Sequence, residues 1–502
     1  MILRRLGWKF KTPEFNKGSA NYDLIFEPFI KLNKTYLGDN KFRFLNREIN
    51  FTDNINWNYS DNGKLWTYNI NYFEFLMQED ISESEGRKLI DNYINSYDRL
   101  KDGLEPFPTS LRLLNWVKFL IKYQIREDKI NQFIHEDAYR VYHHPEYHLL
   151  GNHLLENGFG LYFAAVYLND HRLYKKAKSI LIAELQEQIL HDGAHFELST
   201  MYHQHMLFRI LDCYQLASQN DMIGSEMKDL FLSKSSKMLS WLQNMTFSNG
   251  DCPLLNDSAK GIAPDNQQLF DYAAYLNITF EDIPMSDSGY RRYDSGNSEI
   301  IIDAGKIGPD YIPGHAHADS LSFVMNYNDK AFLVDGGTST YETGERRNEE
   351  RSTHMHNTVD IDGQNSSEVW AGFRVGKRAK TSILQEDTST LKASHDGYDK
   401  LTHVRHLLIE KENIFIKDMI EGAVDKSKSF TAYFHFHPDI KIKLTDHSIQ
   451  ASNGLIMTFE GETSLKSQTY EFAEYWNTTT TAQVLQVNFD RQLITRIIPI
   501  SE

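Results

Sequence analysis

Ser298-Glu299-Ile300-Ile301-Ile302-Asp303 divides this chain into two kinds of sequence. The run is short, β-branched and bounded by turn-forming residues, which reads as a strand. Upstream of it, apolar residues recur at i, i+3, i+4 and i+7, and the spacing predicts helices near 83–100, 110–125, 128–141, 148–168, 171–190, 197–217, 224–246 and 265–276. Downstream, the stretches 321–327, 331–335, 413–418, 430–438 and 483–487 are further short runs separated by Asn, Asp, Gly and Lys. Helical hairpins in series close into an (α/α) toroid, and strands without intervening helices stack as an antiparallel β-sandwich. The expected architecture is therefore an N-terminal (α/α) toroid followed by a C-terminal antiparallel β-sandwich. Its expected parts are an irregular wrap over 1–65, the toroid over 66–284 and the sandwich over 285–502, with Asp282, Pro284, Ser286, Asp287, Ser288 and Gly289 as the linker-like junction.

Length and composition agree with two sizeable cores. The 502 residues are too many for one ordinary domain, and 41% hydrophobic with 13% aromatic content is globular rather than disordered. The formal net charge of −16 disfavours nucleic acid as the main ligand, so an acidic ligand must be met by a local basic cleft. Cys213 and Cys252 are the two cysteines, too few for a disulfide framework or a Cys-rich zinc site. Neither an export signal nor a membrane span is read from the chain, so the expected location is cytoplasmic, with the bacterial periplasm the alternative if a leader precedes it.

Three polar constellations interrupt this pattern. Gly151-Asn152-His153-Leu154-Leu155-Glu156-Asn157 opens an apolar helix and places His153 and Glu156 on one face. Asp192-Gly193-Ala194-His195-Phe196-Glu197-Leu198-Ser199-Thr200-Met201-Tyr202 crosses a helix junction, where Glu197 and Ser199 can stabilise first-turn amides, and His205 follows Tyr202 by three. A tyrosine with a pKa near 10 serves as a base only where cations or donors stabilise its phenolate. Gly314-His315-Ala316-His317-Ala318-Asp319 leads into Asp335-Gly336-Gly337 and His354-Met355-His356-Asn357-Thr358. Two His and one Asp from different segments suit zinc or a similar divalent metal, so His317 and Asp335 with His354 or His356 could bind it and leave His315 for chemistry. Gly336 and Gly337 read as a tight turn that admits close backbone approach. His435 and His437 read as structural, and Gly344 to Arg351 as a solvated loop.

In order, Asn152-His153-x-x-Glu156-Asn157, Asp192-Gly193-x-x-x-Glu197-x-Ser199-x-x-Tyr202, His315-x-His317-x-Asp319-x-Leu321-Ser322-Phe323, Asp335-x-Gly337 and His356-Asn357-Thr358-Val359 resemble the heparinase II/III superfamily of polysaccharide lyases. The likeness runs over about 65–440, and 66–76 with 111–116 further resemble members associated with capsule or exopolysaccharide. It implies β-elimination on an acidic polysaccharide containing uronic acid. The enzyme would neutralise the C6 carboxylate, remove the C5 proton and protonate the departing O4. Asn152 or His153 would neutralise the carboxylate with Glu156 in support. Tyr202 would be the acid, or both acid and base, with His315 the alternative base. His317, Asp335 and His356 would hold one structural divalent metal, zinc by expectation. Arg112, Arg346, Arg351 and Arg374 are candidates for the substrate's anionic groups, Trp116 and Trp370 for sugar stacking, and His205 for binding beside Tyr202. The rivals are a glycoside hydrolase using Glu156 and Glu197, and a non-catalytic glycan-binding or assembly protein.

Overall fold

The computed structural model describes residues 12–220, 224–423 and 427–500. These form two compact units. The first takes the chain through Gln188, then Met206–Ser235 and Asp271–Thr279; the second takes Ile189–His205, Ser236–Phe270 and the chain from Phe280 onward.

The first unit is helical, apart from a small antiparallel sheet of Tyr36–Gly38, Lys41–Phe44 and Arg47–Asn50. Its helices include Lys64–Tyr72, Glu83–Ser96, Pro106–Tyr123, Asp128–His143, Gly151–Leu168 and His171–Gln188, and Gly151–Leu168 packs on Pro106–Tyr123, Asp128–His143 and His171–Gln188. The ends follow local chemistry. Ser82 caps Glu83–Ser96 by accepting from the Glu85 amide at 3.2 Å, and Pro106 opens the next helix where its missing N–H costs nothing. Gln124 and Asn169 adopt left-handed conformations that stop Pro106–Tyr123 and Gly151–Leu168. The aromatic wealth of the sequence is core here. Trp57 stacks on Phe73 with ring centroids 5.1 Å apart, Phe73 meets Trp116 edge-on at 5.2 Å, and Phe44 from the small sheet lies on Trp66 at 5.2 Å.

The second unit is mainly β, with antiparallel sheets. The small sheet orders Tyr290–Ser295, Ser298–Asp303, Phe323–Tyr327 and Lys330–Leu333. The large sheet runs from Thr381–Glu386 through Thr390–Tyr398, Leu401–Glu410, Asn413–Gly422, Thr478–Pro499 and Leu455–Tyr475 to two short edge strands, with Phe430–His435 also paired to Thr478–Pro499. All six residues of Ser298–Asp303 are buried, which fits three consecutive isoleucines at its centre instead of an apolar–polar alternation. Ile300 and Ile302 face the large sheet's Leu407, Ile416, Phe434 and Leu485, while Ile301 packs with Ala194, Leu198, Trp241 and Leu255 from the unit's helical segments. The small sheet is thus covered on both faces, and short loops at its edge are held against rigid elements. Gly337 lies at φ +74°, where an added Cβ would stand 2.1 Å from the Ala473 carbonyl oxygen, so this tight turn does require glycine. No helix among the described residues is long and apolar enough to cross a membrane.

Gly160 offers a test of how tightly the helical unit is packed. A Cβ there would lie 2.6 Å from the Ser110 carbonyl oxygen on the neighbouring helix. Alanine favours the helix by about 1 kcal/mol over glycine, yet overpacking against backbone costs about 1–3 kcal/mol. Gly160→Ala is therefore expected to lower the urea midpoint, and an unchanged or raised midpoint would show that the two helices can separate freely.

Candidate active site and metal centre

The second unit gathers the chemistry-bearing residues of four segments. Ser199 accepts from the Tyr202 amide at 3.2 Å and so caps the helix Thr200–Ser218, whose first turn carries Tyr202. Leu198, just before it, is held at φ +58°; its carbonyl accepts from Asn256 Nδ2 at 3.1 Å and from the Tyr290 hydroxyl at 2.8 Å. The same loop grips the histidine segment. Asn256 Oδ1 accepts from the His317 amide at 2.9 Å, and the Asp257 amide donates to the His315 carbonyl at 3.2 Å.

Tyr202 and His315 meet here, their ring centroids 4.1 Å apart, and the Tyr202 hydroxyl is 3.1 Å from that of Tyr341. Glu197 Oε2 is 3.9 Å from His315 Nε2. Burial raises the Tyr202 hydroxyl well above the ordinary tyrosine range; the Tyr341 hydrogen bond opposes this, while Glu197 and Asp257 add to it. Tyr202 is therefore protonated at rest and equipped to donate. Asp257 is buried at 0% exposure. Its burial disfavours charge, but the Arg347 guanidinium and the His315 and His317 imidazoles hold its carboxyl well below the usual range.

His317, Asp335 and His356 converge, with candidate ligand atoms all within 4.8 Å of one another. His354 stands apart from this set, its Nδ1 3.0 Å from Ser352 Oγ, so the structure selects His356. The donor set fits a divalent cation. His317 Nδ1 and His356 Nε2 are buried without hydrogen-bond partners among the described residues, while Asp335 Oδ2 lies 2.7 Å from His356 Nδ1. Burial pushes Asp319 up to about 6 and nearby Asp335 adds to the rise, a crowding of carboxylates that a cation would relieve.

The remaining candidates divide. Trp370 and Arg374 are exposed and face each other across a short hairpin. Its turn carries Phe373, 47% exposed, edge-on to His315 at 5.6 Å. His205 is half-buried, its ring 6.4 Å from that of Tyr202. In the first unit, Asn152 is buried, and Glu156 is buried against Arg209 Nε at 3.1 Å. His153 is partly exposed against Phe107 at 4.5 Å and lies 3.5 Å from Glu146. Two expectations need correction. Arg112 and Trp116, read as substrate-binding, are each 1% exposed. Arg112 donates to Asp137, Thr109, Gly103 and Asn71, and Trp116 packs on Phe73, so both serve the core. The presumed solvated loop instead contains the helix Glu345–Glu350, with Arg347, Glu350 and Arg351 all at 0% exposure. Arg351 is turned to the backbone, donating to the Ala316 carbonyl at 2.9 Å, and Arg346 is paired with Glu350 at 2.7 Å.

Asn256, Asp257, Tyr341, Arg347 and Phe373 were not singled out from the sequence. Asn256-Asp257-Ser258 looks like any polar turn, and its partners lie some sixty to ninety residues away in the chain.

Family models match most of the chain: Heparinase II/III N-terminus over residues 109–279, and Heparinase II/III-like, C-terminal, over 278–498. A heparin-sulfate lyase of Pedobacter heparinus is 24% identical over 331 residues, which are 59% of this chain and 47% of that protein. One from Bacteroides thetaiotaomicron is 23% identical over 375 residues, 62% of this chain and 49% of that protein. The chain thus spans about half the length of the curated relatives it matches. Among solved structures, a heparinase III aligns at a TM-score of 0.74 with 16% identity, covering 99% of this chain and 89% of that one. A heparan sulfate lyase of Pedobacter heparinus aligns at 0.62 with 16% identity, covering 92% and 82%. These likenesses show a common fold, a helical toroid followed by a β-sandwich. By the two matched models and the motifs they enclose, the chain belongs to the heparinase II/III-like superfamily.

Proposed function

We propose that this protein is a polysaccharide lyase that cleaves an acidic polysaccharide at a uronic acid by β-elimination and leaves an unsaturated end. The observation that carries this reading is the Tyr202–His315 pair, a protonated phenol against an imidazole at 4.1 Å between centroids. Elimination needs both functions close together. His315 Nε2 takes the C5 proton, and the electron pair left behind forms the C4–C5 double bond. The C4–O4 bond breaks as Tyr202 gives its hydroxyl proton to the departing oxygen. One proton is taken and one given, so the pair must exchange protons with solvent before the next turnover. Phe373, Trp370 and Arg374 offer an exposed aromatic and cationic edge beside His315 for the sugar chain. Asn152 or His153, supported by Glu156, is further proposed to neutralise the substrate carboxylate. This is tested by substituting each.

Zinc is the proposed metal, held by His317, Asp335 and His356. At 0%, 3% and 0% exposure these ligands fit a cation that braces the loops. Bound there, the metal would supply cross-linking of three segments, and the proton transfers belong to Tyr202 and His315.

A panel of uronic-acid polymers is expected to yield product with the ultraviolet absorbance of a conjugated unsaturated uronate. Depolymerisation without it would favour the hydrolase alternative. Tyr202→Phe and His315→Gln should each lower kcat by about 10²–10⁴-fold, the usual scale for losing a general acid or base. Normal turnover in both would remove the assignment. Because a general acid must be protonated and the Tyr202 hydroxyl is raised, no alkaline limb of kcat/KM owed to it should appear below about pH 10. A pH–rate profile with and without Tyr202→Phe checks this. Elemental analysis should find close to one equivalent of zinc. Its removal should destabilise the protein by about 4 kcal/mol if free metal had exceeded its Kd about 1,000-fold, as read from chelator-dependent melting.

A further inference from the structure

Asp257 sits where the two functions of the cluster meet. Its Oδ2 lies 2.8 Å from His315 Nδ1 and 2.7 Å from Arg347 Nη2. Its Oδ1 lies 2.9 Å from His317 Nε2 and also accepts from Arg347 Nη1. An ionised carboxylate has about four lone-pair sites and can only accept, so the four nitrogens that contact it must all donate. Neutral imidazole carries a single N–H. If His315 donates through Nδ1, its Nε2 is left with the lone pair; if His317 donates through Nε2, its Nδ1 is left as the metal-ligating atom. His317 Nδ1 is also the atom buried without a partner among the described residues. Arg347 is itself at 0% exposure and anchored through Nε on the Gly372 carbonyl at 3.0 Å, so the carboxylate cannot swing between the two imidazoles.

We infer that Asp257 is a positioning residue that sets the tautomers of His315 and His317 together, so that one buried carboxylate both prepares the base and prepares the metal ligand. The first half rests on the assignment of His315 as the base. The second rests only on the cluster. A histidine ligand commonly donates its other N–H to a carboxylate, and loss of that partner usually costs about 10–100-fold in metal affinity. Here that carboxylate also holds the catalytic imidazole. Seating of the metal and aim of the base are therefore coupled through two hydrogen bonds, with the metal never touching the reacting atoms.

Three measurements test this. In the unsubstituted zinc-loaded protein labelled with ¹⁵N-histidine, His315 is expected as the Nδ1–H tautomer, its signals identified by their loss in His315→Gln. The Nε2–H tautomer would overturn the inference, and this reading stands even if an Asp257 variant does not fold. Asp257→Asn should lower kcat about 100-fold with KM changed less than about threefold, and should cause almost no further loss in the His315→Gln background. Losses that multiply would mean Asp257 does not act through His315. The same variant should lose zinc to a competing chelator about 10–100-fold more readily, a readout independent of turnover. Unchanged retention would break the link to His317. If instead His315→Gln turns over normally while the tautomer and zinc results hold, the lyase assignment of His315 fails and the positioning of the two imidazoles stands.

Discussion

The ion pair between Arg347 and Asp257 is the constraint on which the cluster depends. Both side chains are at 0% exposure, and an unpaired charge at such depth is prohibitive. Removing one partner of a buried pair costs about 3–5 kcal/mol, because the other is left uncompensated. Geometry makes the pair bearable. Arg347 meets Asp257 with two nitrogens, and the two histidines occupy the remaining acceptor positions. What the buried charge provides is direction: a fixed acceptor towards which two imidazoles must turn.

The second unit makes this arrangement rigid. Its small sheet packs one face on the large sheet and the other on helical segments, so the loops at its edge start and end on covered elements. A second buried cluster extends the same logic into the sandwich. Arg405 pairs with Asp418, which also contacts His403 at 2.8 Å, and Arg405 Nη1 donates to the carbonyls of Leu321 at 2.7 Å and Asn357 at 2.6 Å. The strand Leu401–Glu410 thereby holds Asn357, next to His356, and Leu321, four residues after His317, through their backbone carbonyls.

The helix pattern was legible because burial of one face repeats along the chain. All eight expected helices are present, including Asp128–His143, Gly151–Leu168 and His171–Gln188, with ends displaced by a few residues. The strands near 298–303, 413–418 and 430–438 were equally readable from short apolar runs. Among the site residues, His317, Asp335 and His356 were readable as metal-ligand types, and their candidate ligand atoms lie within 4.8 Å of one another. Arg112 and Trp116 misled for the converse reason. A cation and an indole look alike in sequence whether they meet a ligand or a core, and Asp137 and Phe73 decide the matter from elsewhere in the chain. The charged run 344–351 misled in the same way, since it mixes acidic and basic residues as a solvated surface does, yet Arg347 and Glu350 find buried partners at Asp257 and Ser339.

By itself, then, the amino-acid sequence determined the two kinds of secondary structure, their order and the residue types capable of acid–base and metal chemistry. Those depend on periodicity and composition, which are local properties. Only the tertiary structure decided which of these residues share a partner. Asp257 joins His315, His317 and Arg347 over separations of 58, 60 and 90 positions, and nothing within any one segment encodes the meeting. Hydrogen bonds of this kind form where folding brings a buried donor to a buried acceptor, and the cost of leaving either unpaired is what makes the contact specific.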